Sequence, residues 1–328
     1  MVLSVATGCP SVPNVGREQV ESPVDCKSRG TKLSIDNNRL TLSVRTRLLN
    51  CGRSLLKVPL AEGLLAKYIR QRPLRSRFAR KLVPNNYQYP PESLRSFSHF
   101  GLHWQVDISD YIGHCAYFGL DQSMQALFEL CSHDSVVFDV GVNIGWTALH
   151  MSRICSAGKV YGFEPDPYNF AACRRNIDLN ELANLKVSPI ALGAEPGNVQ
   201  MEIPTLSNRG GNRIAQQGSS IQRGDIPMVT ADEFARISEV DRLDVIKIDT
   251  EGFELRVLTG ARGLLLKYRP TLFVEINDAN LKLQGDSALE LLKFVRSAGY
   301  TKIVAAHSRE EVSEENLDSF GHFDVIAR

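Results

Sequence analysis

The chain reads as an α/β protein built on a doubly wound sheet, and two observations predict it. Residues 136–145 (VVFDVGVNIG) form an apolar run enclosing one carboxylate. Glycines at 141 and 145 stop the run, and the helix-like TALHMSRICS follows. A continuous apolar run of that length is a buried strand of a parallel sheet. From Ser135 to the end, strand-like and helix-like segments alternate, which predicts helices on both faces. The strand, glycine turn and helix are expected to leave backbone N–H groups free for a polar or anionic ligand.

The expected strands of the sheet are 136–140, 159–164, 185–188, 245–248, 271–276, 302–304 and 323–326, with 190–192 continuing the third to the sheet edge. Asp166-Pro167 supplies an N-cap and a first-turn proline to the helix after the second strand. Thr230-x-x-Glu233 and Ser287-x-x-Glu290 have the spacing of capping boxes. Short strands at 199–203 and 227–229 flank SNRGGNRIAQQGSS, a loop expected to act as a lid.

Four regions are expected. Residues 1–38 are a tail without periodicity, read as disordered. Residues 39–97 are a basic arm with short helices. Here SLLKVPLAEGLLAKYIRQ places Leu60, Leu64, Leu65 and Ile69 on one helical face, ended by Pro73. Residues 98–133 are a pre-domain covering the pocket. In it Trp104, Val106 and Ile108 alternate as in a strand or hairpin, the aromatic cluster before Gly119 reads as a loop, and Met124, Leu127, Phe128 and Cys131 share a helical face. Residues 134–328 are the sheet domain.

Composition narrows the function. The net charge of +1 argues against a general nucleic-acid binder, but it conceals an asymmetry. Residues 39–81 hold twelve Lys or Arg and one acid, Glu62, a net +11, so the remainder carries −10. A basic arm on an acidic domain suits an anionic membrane or a phosphorylated acceptor; a solvated arm docked on that domain is the plainer reading. Seven cysteines without a C-x-x-C pair read as free thiols in a reducing compartment. With no apolar leader and no membrane-length apolar run, the expectation is a soluble, cytoplasmic protein.

The chemistry follows from the strand ends. A dinucleotide fingerprint would need glycine where Asn143 stands, between Gly141 and Gly145. Asp139, two residues before the first glycine, would repel a pyrophosphate but suits the α-amino group and sulfonium of S-adenosylmethionine. Turn or helix capping is its alternative role. Glu164, ending the second strand, is placed to accept both ribose hydroxyls, and Ala191 is included on the cofactor side. Asp249, Glu251 and Glu275 follow the fourth and fifth strands and should face the same crevice. There they would serve an alcohol acceptor as base or, as paired hard oxygen ligands, hold Mg²⁺; the metal is left open. Capping the next helix is the structural alternative for Asp249 and Thr250. Among the histidines, His307 is the first to test.

Three stretches carry a resemblance: VVFDVGVNIGWTALHMS, VYGFEPDPYNFAACRRNIDLN and LDVIKIDTEGFELRVLTGARGLLLKYRPTLFVEIN. Together they resemble the FkbM-type S-adenosylmethionine-dependent methyltransferases, over roughly 134–277. The resemblance implies a class I methyltransferase (Rossmann-like) sheet of seven strands with the last antiparallel. It also implies O-methylation of a hydroxyl on a sugar, glycan or natural-product acceptor. Val142 and Thr250 depart from the family's usual Ala and Val, and the basic arm lies outside its pattern. Two alternatives stand beside this: an NAD(P)-dependent oxidoreductase, and a non-catalytic protein binding a partner or membrane through the arm.

Overall fold

The computed structural model describes residues 35–36, 39–40, 44–72, 77–120, 124–205, 207–215 and 222–328. Nearly all of the expected disordered tail, and the part of the expected lid from 216 to 220, lie outside these residues. The chain divides into two units, 1–49 and 50–328. In the first, β1 (Ile35–Asp36) pairs antiparallel with β2 (Arg39–Leu40). Helix α1 (Val44–Ser54) begins there.

The second unit opens with α2 (Pro59–Gln71) and the short α3 (Arg77–Arg80). A hairpin follows, β3 (Leu94–His99) with β4 (Leu102–Asp107). Its two turn residues, Phe100 and Gly101, are both left-handed, the backbone that lets two twisted strands join through two residues. The aromatic cluster expected as a loop is instead helix α4 (Tyr111–Phe118). Asp110 caps it by accepting the N–H groups of Ile112 and Gly113, a local signal that outweighs its aromatic composition. Helix α5 (Gln125–Phe128) is shorter than the expected 121–131 helix, and residues 121–123 lie outside the description.

The main sheet uses β5 (Val136–Val140), β6 (Lys159–Phe163), β7 (Leu185–Ser188), β12 (Val245–Ile248), β13 (Thr271–Ile276), β14 (Ile303–Ala305) and β15 (Phe323–Ala327). Their order is β14-β15-β13-β12-β5-β6-β7, parallel except for β15, which runs against both neighbours. This is the seven-stranded sheet with its last strand antiparallel that the resemblance implies, its direction of winding reversing between β5 and β12. Helices α6 (Trp146–Ile154), α7 (Pro167–Asp178), α8 (Ala231–Ile237), α9 (Glu254–Gly260), α10 (Arg262–Tyr268), α11 (Asp278–Leu283) and α12 (Ala288–Ser297) connect the strands.

The apolar runs divide by period two between the faces. Phe138, Val140, Ile246, Ile248 and Val274 belong to one core, and Val137, Val245 and Phe273 to the other.

Residues 190–192 do not extend the main sheet. A second sheet takes β8 (Ala191–Leu192), β9 (Gly197–Glu202), β10 (Arg213–Ile214) and β11 (Gln222–Val229) in the order β10-β9-β11-β8. The face expected of α2 holds only in part: Ile69 is buried and Leu65 packs on the core, but Glu62 and Ala66 are buried beside them and Leu60 and Leu64 point outward. The buried acid is the reason: Arg95 on β3 holds Glu62 at 2.6 Å, and that ion pair rotates the helix away from its most leucine-rich side.

Candidate active site

In an open α/β sheet the crevice lies beyond the carboxyl ends of the strands where the winding reverses. Here that place is the end of β5 beside the end of β12. Asp139 and Lys247 are paired across these two strands, and they share one sheet face. The Lys247 ammonium lies 3.3 Å from Asp139 and 3.4 Å from Asp249, and donates to the Gly141 carbonyl at 2.8 Å. Burial works against its charge, but the two carboxylates outweigh burial and hold the ammonium above its ordinary range. The other oxygen of Asp139 accepts the Thr147 hydroxyl of α6 at 2.6 Å.

Asp139 is therefore fully enclosed, one layer beneath the crevice. It neither caps α6, whose N-cap is Gly145, nor lies open on the crevice wall. The strand and the helix start are tied together through it.

The glycine turn also differs from expectation. The N–H groups of Gly141 and Val142 donate to the Phe163 carbonyl, that of Asn143 to Glu164 at 2.6 Å, that of Ile144 to the Asn143 side chain, and that of Gly145 to the Val142 carbonyl. All five donors of the turn are thus spent inside the protein, because the left-handed backbone at Gly141, Asn143 and Gly145 curls the loop back onto β6. Gly141 is required here: a Cβ would stand 1.8 Å from the Asp249 carbonyl oxygen. The turn offers no free amide to an anion, and what faces the crevice is acidic.

Glu164 is the central acid. Its two oxygens accept the N–H groups of Asn143 and Asp166, which fixes its plane and leaves each oxygen with capacity for one more donor. Burial raises its carboxyl to about 7. Ala191 is placed in the second sheet, its side chain in the core.

On the other side of the crevice Asp249, Glu251 and Glu275 each bring a carboxylate oxygen within 4.8 Å of the other two. The loop between β12 and α9 gathers them. Glu254, buried at the start of α9, accepts the N–H groups of Thr250 and Gly252 and the Thr250 hydroxyl. Because Glu254 satisfies the loop, Asp249 does not cap that helix, and Phe253 stands at the N-cap without a side-chain bond. Glu251, in left-handed backbone, accepts from Asn280 at 2.6 Å. Burial, with repulsion from Asp249 and Glu254, raises it to about 8. Burial and the neighbouring acids push Glu275 well above the usual range. One of its oxygens meets the His322 ring at 2.5 Å, while the other is buried without a hydrogen-bond partner among the described residues.

It is His322, just before β15, and not His307, that reaches the acids. Lys247 and His322 are the residues that sequence reasoning missed. A lysine inside the apolar run VIKI carried a signal, since a buried ammonium needs a partner; nothing near His322 marks it.

The family model described as Methyltransferase FkbM domain matches residues 139–302. The chain belongs to the FkbM methyltransferase family. The hexuronic acid methyltransferase AglP of Haloferax volcanii is 32% identical over 150 residues, covering 45% of this chain and 58% of that protein. The 2-O-methyltransferase NoeI of Sinorhizobium fredii is 24% identical over 163 residues, covering 45% of this chain and 65% of that protein. The chain thus spans about six-tenths of the length of these curated relatives. Among solved structures, Methyltransferase FkbM from Methylobacillus flagellatus is similar at a TM-score of 0.39 and 16% identity, over 83% of this chain and 60% of that one. In this FkbM-family chain the matched region contains Asp139, Glu164, Lys247, Asp249, Glu251 and Glu275, while His322 lies beyond its end.

Proposed function

We propose that this protein transfers a methyl group from S-adenosylmethionine to a hydroxyl of a sugar-like acceptor. One observation carries the cofactor assignment: the amides of residues 141–145 are spent inside the protein, and the crevice beside them is walled with carboxylates. That suits a ligand bringing donors and positive charge better than one bringing phosphates. S-adenosylmethionine brings both, as two ribose hydroxyls, an ammonium and a sulfonium, whereas a nicotinamide dinucleotide brings a pyrophosphate. Glu164, with one open site on each oxygen, would hold the ribose. Asp249 is half-exposed above the buried Asp139–Lys247 pair and would face the cationic end.

When bound, the cofactor supplies a methyl group on a sulfonium, a leaving group that needs no protonation. The chain's task is then to align the acceptor oxygen, exclude water and remove a proton. His322, oriented by Glu275, takes that proton as the C–S bond breaks and the C–O bond forms. Asp249 and Glu251 hold neighbouring hydroxyls of the acceptor. Lys247 already answers the charge of Asp249, and the raised carboxyls of Glu251 and Glu275 leave less charge to neutralise, so the acids serve this role without a divalent ion. The sugar acceptor is supported by the relatives that act on a hexuronic acid and at a 2-hydroxyl.

The protein with methyl-labelled S-adenosylmethionine and a panel of hexoses, hexuronic acids and their glycosides tests this. Label in an ether linkage on a sugar is the expected product. Label found only on amines, or exchange with NAD(P)H in place of methyl transfer, would overturn it.

A further inference from the structure

Large exposed apolar side chains gather on one stretch. Leu55 is 77% exposed, Leu60 75%, Leu64 62% and Phe78 79%, with Val58, Tyr68 and Leu82 also open. Elsewhere such residues are scattered singly, for example Ile237, Leu266 and Leu283. A single exposed leucine is ordinary, but a run of them is not. On α2 the spacing of Leu60, Leu64 and Tyr68 is four residues, so they form one stripe, opposite the buried Glu62, Ala66 and Ile69.

The charge around this stripe has one sign. The only acid among residues 39–81 is Glu62, and Arg95 neutralises it in the interior. Arg53, Lys57, Lys67, Arg70, Arg72 and Lys81 have no carboxylate partner among the described residues. Arg72 lies over the Tyr68 ring and Lys81 over Phe78, so cation and apolar group are presented together. Beside the stripe, between α2 and β3, is a depression of about 420 Å³ lined in part by Lys67, Arg70, Gln71, Ser96 and Ser98. That is an ammonium, a guanidinium that also meets the Tyr117 carbonyl and the Phe97 ring, an amide and two hydroxyls around a space several times larger than a phosphate.

We propose that this face of α2, with its flanking basic residues and the adjoining depression, docks on an anionic lipid bilayer. That occupant supplies both an apolar layer and negative charge at the same surface. A second copy docked through the same segment would set +11 against +11. The first 38 residues carry four basic and four acidic groups and offer no complementary charge. A soluble phosphorylated acceptor would answer the lysines and leave Leu60, Leu64 and Phe78 in water. Among the described residues no helix is long and apolar enough to cross a membrane, so the contact is peripheral. This inference is independent of the methyl-transfer reading.

The test is co-sedimentation of the full chain with vesicles of phosphatidylcholine alone and of phosphatidylcholine mixed with phosphatidylglycerol, at rising salt. The mixed vesicles should retain at least about tenfold more protein, with retention falling as salt screens the contact. Leu60→Asp/Leu64→Asp should lose at least about tenfold of it at an unchanged thermal midpoint, since both positions face solvent. Equal retention on both vesicles, none on either, or a double variant that binds like the parent would overturn the proposal. A parent dimer that the double variant dissociates would also overturn it and assign the face to a second copy. Displacement from the vesicles by a soluble phosphorylated sugar would do the same in favour of the acceptor.

Discussion

Lys247 stands beside Asp139 in the parallel pairing of β12 with β5, and its ammonium reaches the Asp139 carboxylate at 3.3 Å inside the protein. The pair joins the two strands whose ends form the crevice, and Thr147 ties the same carboxylate to α6. Removing one partner strands the other charge without water. Lys247→Met should cost about 3–5 kcal/mol of stability, whereas Lys247→Met/Asp139→Leu should recover a large part of it. Denaturant titration of the two variants measures this. A single variant as stable as the parent would show that the pair does not hold the strands together.

Gly141 is the point of closest approach between the same strands. An added Cβ would strike the Asp249 carbonyl oxygen, and the backbone there is left-handed at φ 83°. Gly141→Ala should therefore destabilise by more than about 2 kcal/mol, beyond the ordinary penalty for alanine in that conformation. A fall in thermal midpoint checks it; an unchanged midpoint would mean that the loop yields easily.

Two raised carboxyls give the ligand-free protein a pH signature. Glu164 at about 7 and Glu251 at about 8 both lie above the ordinary 4.5. The folded state thus binds protons that the unfolded state has released. Their stabilising contribution is complete below about 4.5 and is lost as the pH rises through 7 to 8. For Glu164 alone it is on the order of 3 kcal/mol. Thermal midpoints should fall across that interval, and Glu164→Gln should flatten the fall. A midpoint rising from pH 5 to 8, unaltered in the variant, would contradict the burial of these acids.

His322 and Glu275 should separate binding from chemistry. His322→Gln should lower kcat about 10²- to 10⁴-fold and leave cofactor affinity unchanged, because it acts on the acceptor proton. Glu275→Gln, which keeps a hydrogen-bonding partner for the ring, should fall less and shift the pH dependence of kcat. Activity should survive chelation of divalent ions. Loss of activity in chelator, restored by Mg²⁺, would give Asp249, Glu251 and Glu275 to a metal instead.

Much of this fold was legible because parallel strands buried on both faces are nearly continuous apolar runs, as at Val136–Val140 and Thr271–Ile276. Glu164, Asp249, Glu251 and Glu275 could be named from their positions at the strand tips, and the structure gathers the last three within 4.8 Å of one another. What was not legible depended on contacts distant in sequence. Residues 190–192 left the main sheet because their partner is β11, more than thirty residues later. The ion pair of Glu62 with Arg95, thirty-three residues away, buries an acid of α2 and leaves Leu60 and Leu64 outside while Ile69 stays in the core. The turn from Gly141 to Gly145 kept its expected shape but lost its free amides to Phe163 and Glu164, and Asp139 was buried by a lysine on another strand. Each of these is a tertiary pairing that no local pattern encodes.

Calorimetric titration of S-adenosylhomocysteine into the parent protein and Glu164→Ala is the most direct measurement of the cofactor crevice. The account predicts binding by the parent that strengthens from pH 6 to 8 as Glu164 ionises. It also predicts a loss of at least about tenfold, roughly 1.4 kcal/mol or more, in the variant. Parent and variant binding alike at both pH values, or neither binding at all, would contradict it.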